Sequence, residues 1–122
     1  MRPGPDTWEI GPGGTVVRVS EVWLEIVGRH AAEAPGYCWS DYVHEAERHD
    51  VVVTVAAHMA AQRPFVIAFR ARHHSGCFVR LLTGGTPLLD GGYFGWTRVA
   101  RRDLRLMERI AQAVCLFGLL MP

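Results

Sequence analysis

Six histidines and three cysteines are the side chains of this 122-residue chain best suited to hold a metal or attack a carbonyl. A metal site asks for such ligands on one face, as two histidines four residues apart on a helix provide. His44, His49 and His58 fall in or beside one helical stretch, but at spacings of five and nine residues, so neither pair stacks. His73-His74 falls in a turn. Capping or solvated histidines are the plainer reading, and no metal site is expected. Cys38, Cys77 and Cys115 are odd in number, widely spaced and without a CxxC pair. That argues against a disulfide scaffold or a zinc knuckle and for buried, reduced thiols in a cytoplasmic protein. Ser20, Ser40 and Ser75 lie in no GxSxG elbow. Asp41, Glu45 and Glu47 read as capping and solvating carboxylates rather than an acid–base pair. The glycine clusters at 11–14, 84–85 and 91–92 precede or join strands, whereas a phosphate loop opens a helix. With no lysine in the chain, Schiff-base and P-loop lysine chemistry are excluded.

Charge and composition narrow the classes further. Thirteen arginines face twelve acidic residues, a net charge of +1, so a nucleic-acid partner is not expected. No apolar run reaches the ~18 residues of a membrane span. The opening MRPGPDTWEIGPGG lacks the apolar stretch of a signal peptide. The length suits one domain, and 49% hydrophobic with 20% charged residues is the composition of a folded one.

The elements that would position these side chains are short. Trp8–Ile10, the turn Gly11-Pro12-Gly13-Gly14 and the β-branched Thr15–Val19 read as a hairpin. Ser20 is placed to cap a helix that Gly28 stops, with Val22, Trp23, Ile26 and Val27 as its apolar stripe. Residues 30–44 read as irregular, with one helical turn burying Trp39, Tyr42 and Val43. A longer helix is predicted from Glu45 to Gln62, turning Val52, Val55 (or Ala56) and Met59 inward, and Pro64 ends it. Three strands follow: Phe65–His73, Cys77–Leu89 with an interruption near Gly84-Gly85, and Tyr93–Arg101. In the first of them Phe65, Ile67 and Phe69 share one face, with Arg70 and Arg72 on the surface side. Asp103–Leu120 closes the chain as an amphipathic helix. The order β-β-α-α-α-β-β-β-α predicts an α+β fold, a five-stranded antiparallel sheet with helices packed on one face.

Four strings in this order carry a resemblance. GGTVVRVSEVWLEIVGR at 13–29 is a strand pair and helix ending on Gly28. GYCWSDYVHEAERHD at 36–50 sets Trp39, His44 and Arg48 in a G-x-x-W-x-x-x-v-H-P-x-D-R pattern, with Glu45 for its Pro and Glu47 for its Asp. RPFVIAFRARHHSGCFVRLL at 63–82 and GGTPLLDGGYFGWTRVARRDL at 84–104 follow as paired strands. In the third string Ala68 stands for an acidic residue, Ser75 for Asp and Leu81 for the common Trp; the last string is shortened by about a residue at its turn. Together, over about residues 8–104, they resemble the PAS sensor domain in the branch with a trailing PAC motif.

The resemblance implies a non-enzymatic sensor or interaction domain of bacterial signal transduction. It implies a pocket between the long helix and the sheet, for which Trp39, Tyr42, Val52, Val55, Met59, Ile67, Phe69, Phe78, Phe94 and Trp96 are the candidate lining residues, with Leu82 beside them. Arg80 is the one charge on the middle strand placed to meet a polar ligand. Some relatives hold haem through a histidine on the long helix; that position falls near Val52 here, with His49 about a turn earlier, so haem is not expected. Light-sensing relatives carry an N-C-R-F string, which is missing, so flavin is not expected either. Residues 1–7 read as a lead-in, 8–103 as the domain, and 104–122 as a helix whose Leu104, Met107, Ile110, Val114 and Phe117 would pair two copies or meet a signalling partner such as a histidine kinase. Two alternatives stand beside this. One is a cone-shaped α+β isomerase or dehydratase, which needs Asp41, His44 or His58 turned into an apolar cavity. The other is a dimerisation module with a filled core.

Overall fold

One hairpin, a helical block and a three-stranded meander account for the sheet order β2-β1-β5-β4-β3. The computed structural model describes Gly4, residues 6–33 and residues 37–103. Its strands are β1 (Thr7–Ile10), β2 (Val16–Arg18), β3 (Phe65–Arg72), β4 (Phe78–Pro87) and β5 (Tyr93–Val99), every neighbouring pair antiparallel. Between β2 and β3 come α1 (Glu21–Val27), α2 (Arg29–Glu33), a 3₁₀ turn (Trp39–Tyr42) and α3 (Glu45–Ala60). Because β2 and β3 are the two edges, the chain joining them crosses the full width of the sheet. Its helices therefore cover one face, here the inner one. This is the α+β architecture that the element order predicts.

Local chemistry sets the helix ends. The Ser20 hydroxyl accepts from the Trp23 amide at 3.2 Å, and Gly28 stops α1 at φ 91°, a conformation that costs glycine little. His44 opens α3, its Nδ1 accepting from the Ala46 amide at 3.1 Å, with Glu45 and Glu47 in the first turn. The block is tied to the sheet by backbone bonds, His44 N–H to the Arg70 carbonyl (2.8 Å) and His74 N–H to the Ile26 carbonyl (2.7 Å). The core joins Trp23, Ile26 and Val27 of α1 and Val51 and Val55 of α3 to Phe65, Phe69, Ala71, Val79, Leu81 and Tyr93 of the sheet. Side chains such as Ile26 and Leu81, fully buried, each contribute about 2 kcal/mol.

Four expectations change. The inward row of α3 is Val51, Val55 and Met59, strict i, i+4 spacing, and Val52 is exposed. The α2 helix was not expected: it has five residues, none of them buried. β4 runs unbroken through Gly84-Gly85, both paired to β3 and β5. α3 stops two residues before Gln62, which takes φ 55°. The C-terminal helix, with Leu104, Met107, Ile110, Val114 and Phe117, lies outside the described residues.

Candidate functional site

β1 places one of the three tryptophans of the site. Trp8 lies flat across β5 and β4, in the space that two glycines leave: a Cβ on Gly85 would come within 2.9 Å of the rings of Trp8 and Phe65, and one on Gly95 would strike Trp8 and the Gly84 carbonyl. Its ring reaches Phe65 of β3 and stacks there at 6.3 Å. Its indole N–H is shared between the Thr83 hydroxyl and the Trp96 carbonyl, both at 3.2 Å. The Thr83 hydroxyl lies 2.8 Å from the same carbonyl and 3.1 Å from the hydroxyl of Thr97.

From the helical side, Trp23 of α1 meets Phe69 edge-on at 6.4 Å and Tyr42 at 6.2 Å. Its indole N–H donates to the Tyr37 hydroxyl. Burial pushes that hydroxyl up to about 12, against the pull of the Trp23 hydrogen bond, so Tyr37 stays a neutral phenol at any physiological pH.

Between these groups is a cavity of about 200 Å³. Trp8, Ile10, Val16 and Arg18 of the first hairpin line it, with Val19, Ser20 and Trp23 at the start of α1. Tyr37 and Trp39, then Val55 and Met59 of α3, close the helical side, and Phe65, Phe69, Thr83 and Thr97 form the floor. The wall is almost wholly apolar, with hydroxyls at a few points. A cavity of this make can take a small apolar molecule and orient it by one or two hydrogen bonds.

Arg18 is the one charged residue of the wall, but its head is elsewhere. It is in register with Glu9, and Glu9 with Phe94, so the three share the outer face. The Arg18 guanidinium carbon stands 5.5 Å from the Phe94 ring centre.

Of the residues that the sequence proposes for the pocket, Trp39, Val55, Met59 and Phe69 line this cavity. Tyr42 and Ile67 pack against the core without reaching the wall. Val52 faces solvent. Phe78, Phe94 and Trp96 need correction, and Leu82 with them. Alternation puts Val79, Leu81, Tyr93, Gly95 and Thr97 on the buried side, so the residues between them face outward. Phe78 stands against His44 at 4.5 Å, and Trp96 lies beneath Arg98. Arg80 is on that outer face too. The sequence reading missed Trp8, Ile10, Tyr37, Thr83 and Thr97. The signal available was the arginine in each outer row, Arg80 on β4 and Arg98 on β5, which marks the odd-numbered residues as the inner set.

Asp41 is exposed, His44 caps α3, and the His58 Nδ1 lies 2.8 Å from the Thr54 carbonyl within its own helix. None of the three lines the cavity, so the carboxylate or imidazole that a cone-shaped isomerase needs is not supplied by them. His49, Cys38 and Cys77 lie outside the wall as well, and both cysteines are exposed rather than buried. Among the described residues no group of three or more His, Cys, Asp or Glu is placed to hold a metal ion, and no helix is long and apolar enough to cross a membrane.

The family model described as PAS fold matches residues 16–92. No curated protein matches the sequence. Among solved structures, a sensory box histidine kinase/response regulator from Burkholderia thailandensis is similar at TM-score 0.57 and 20% identity, over 93% of this chain and 88% of that one. An RNA-binding light-oxygen-voltage receptor gives TM-score 0.63 and 18% identity over 93% of this chain, which spans only 33% of the receptor. The N-terminal domain of a diguanylate cyclase with a PAS/PAC sensor, from Marinobacter aquaeolei, gives 0.51 and 14%, over 76% of this chain and 92% of that one.

Proposed function

Because this chain belongs to the PAS fold family, which the match to residues 16–92 establishes over more than half its length, we propose that it is a non-enzymatic sensor domain of bacterial signal transduction. It takes a small molecule into the cavity and passes the filled or empty state to a signalling protein in the cytoplasm, such as a histidine kinase or another output protein. The observation that carries this is the cavity itself: α1, α3 and all five strands contribute to one wall. A molecule that fits it better in one arrangement of helices on sheet shifts the population toward that arrangement. Segment 104–122 follows directly on β5 and the 3₁₀ turn Arg101–Asp103, whose Asp103 carboxylate accepts from the Arg80 amide of β4 at 2.6 Å. In this reading Leu104, Met107, Ile110, Val114 and Phe117 of that segment form the contact with a second copy or a partner. The non-enzymatic reading is supported by a wall whose titratable side chains, among the described residues, are Tyr37, held neutral, and Arg18, whose head lies over Phe94.

Native mass spectrometry of freshly purified protein beside its denatured mass tests this. Extra mass that disappears on denaturing, in a species of twice the chain mass, is the expected result. A bare dimer that takes up no small molecule at millimolar concentration overturns the sensor reading in favour of a dimerisation module.

A further inference from the structure

We infer that the ligand of this cavity is an uncharged, flat molecule of one or two fused rings bearing a hydrogen-bond acceptor, which the Tyr37 hydroxyl holds. The inference rests on reading the cavity as a ligand site and adds the class of ligand.

Size comes first. Cavities near 150 Å³ accept a single benzene ring, so about 200 Å³ admits roughly ten non-hydrogen atoms. Shape follows from the wall, where Trp8, Trp23, Trp39, Phe65 and Phe69 present aromatic rings from the floor and from the helical side. Charge follows from the same wall. Among the described residues it has no acidic side chain, and the head of its one cation, Arg18, lies over Phe94 on the outer face, with Nε and Nη2 buried there unpartnered, so an anion inside the cavity would not meet it.

The acceptor follows from counting hydrogens. At the Thr83–Thr97 end the donors are all used: Trp8 N–H goes to Thr83, the Thr83 hydroxyl to the Trp96 carbonyl, and the Thr97 hydroxyl to Thr83. On the helical side they are not. The Tyr37 oxygen accepts from the Trp23 indole, and among the described residues its own hydrogen has no acceptor. A phenol has one hydrogen to give, and enclosing it unspent is unfavourable. Burial keeps that hydrogen on the oxygen, with the hydroxyl pushed up to about 12. Ser20 repeats the pattern on the same residue, accepting from the Trp23 amide with no acceptor for its own hydrogen among the described residues. This end of the cavity offers hydrogens and is met by an oxygen or nitrogen lone pair.

A matched set of probes separates the steps: indane, 1-indanone and indane-1-carboxylate, titrated by calorimetry at pH 7.5 into the full chain and into Tyr37→Phe. A circular-dichroism melt confirms that the variant folds. The ketone is expected to bind the native chain roughly five- to tenfold more tightly than the hydrocarbon, the worth of one neutral hydrogen bond. In Tyr37→Phe that gap closes, while indane affinity changes less than about twofold. Equal binding of ketone and hydrocarbon by the native chain overturns the acceptor but leaves a ligand cavity standing. A gap that survives in Tyr37→Phe gives the anchor to Ser20 and overturns the role of Tyr37. Tightest binding by the carboxylate overturns the uncharged class and points to Arg18. Silence from all three overturns the ligand site itself.

Discussion

On the inner face of the sheet Trp8 lies across Gly85 and Gly95; on the outer face Trp96 lies across Gly84. Adjacent residues of one strand thus make room for tryptophans on opposite sides, and the two rings have different fates. Trp96 is capped by Arg98, whose guanidinium carbon stands 4.9 Å from its ring centre, and Phe94 is capped in the same way by Arg18. Arg98 also reaches the Asp6 carboxylate at 3.3 Å, while the Arg18 Nε and Nη2 are buried against Phe94 without a hydrogen-bond partner among the described residues. The rings facing the helices have no such cover. They meet one another across α1, α3 and the sheet, and three tryptophans with two phenylalanines cannot fill the gap as flexible side chains would, so space remains. The function proposed here belongs to the face whose cavity-lining rings carry no stacked cation among the described residues.

The largest effect that would test this difference is steric. A methyl on Gly95 meets backbone as well as the Trp8 ring, and backbone cannot swing aside; a methyl on Gly84 lies 2.7 Å from the Trp96 ring, which can move toward solvent. Gly95→Ala should therefore cost about 4 kcal/mol and Gly84→Ala about 1–2 kcal/mol in urea denaturation. Equal costs would mean that the two tryptophans are held alike.

Truncating the rings themselves comes next. Trp8→Ala removes a ring that spans three strands and should cost about 3 kcal/mol, with the cavity enlarged and probe binding weakened. Trp96→Ala removes a half-exposed ring and a cation–π contact, about 1 kcal/mol, with probe binding unchanged. A loss of binding in Trp96→Ala would place the ligand on the outer face.

Much of the frame was legible in the sequence, because its signals are local. Ser20 and Gly28 bound α1, Pro64 follows α3, and the turns at His74-Ser75-Gly76 and Asp90-Gly91-Gly92 separate three strands. The floor of the site was less legible. On β4 and β5 large aromatics occupy the outer rows, and ring size suggested Phe78, Phe94 and Trp96 for the pocket. On these two strands the floor is Thr83 and Thr97, beside the glycines that seat Trp8, small residues whose value appears only once Trp8 is known to cross above them. That crossing joins residues 75 and more positions apart in sequence, which no periodicity reports. The apolar run at 51–53 offered two helical phases one residue apart, and only the position of the sheet selects Val51.

The smallest effect contrasts a titrating group on the inner row of β3 with one of α3 that the outer row holds. His73 continues the inner row of Phe69 and Ala71, while Arg70 belongs to the outer row and binds Glu47 of α3. Burial, and then the neighbouring His74, hold the His73 imidazole below its ordinary range. Its Nδ1 accepts from the Ser75 amide at 3.0 Å, a bond the neutral ring makes and the protonated ring loses. Folding thus favours the unprotonated ring, so this contribution is whole above pH 6.5 and declines as pH falls from there through the lower folded value. Burial alone would push the Glu47 carboxyl up, but hydrogen bonds from the Arg70 side chain and amide, with the Arg70 charge, outweigh it and leave it lowered. That contribution is whole above pH 4.5 and declines below it. Thermal midpoints measured from pH 8 to 3 should fall in two stages. His73→Gln removes the upper stage and Glu47→Gln the lower. A single stage that both variants share would mean that the two faces of β3 titrate as one unit.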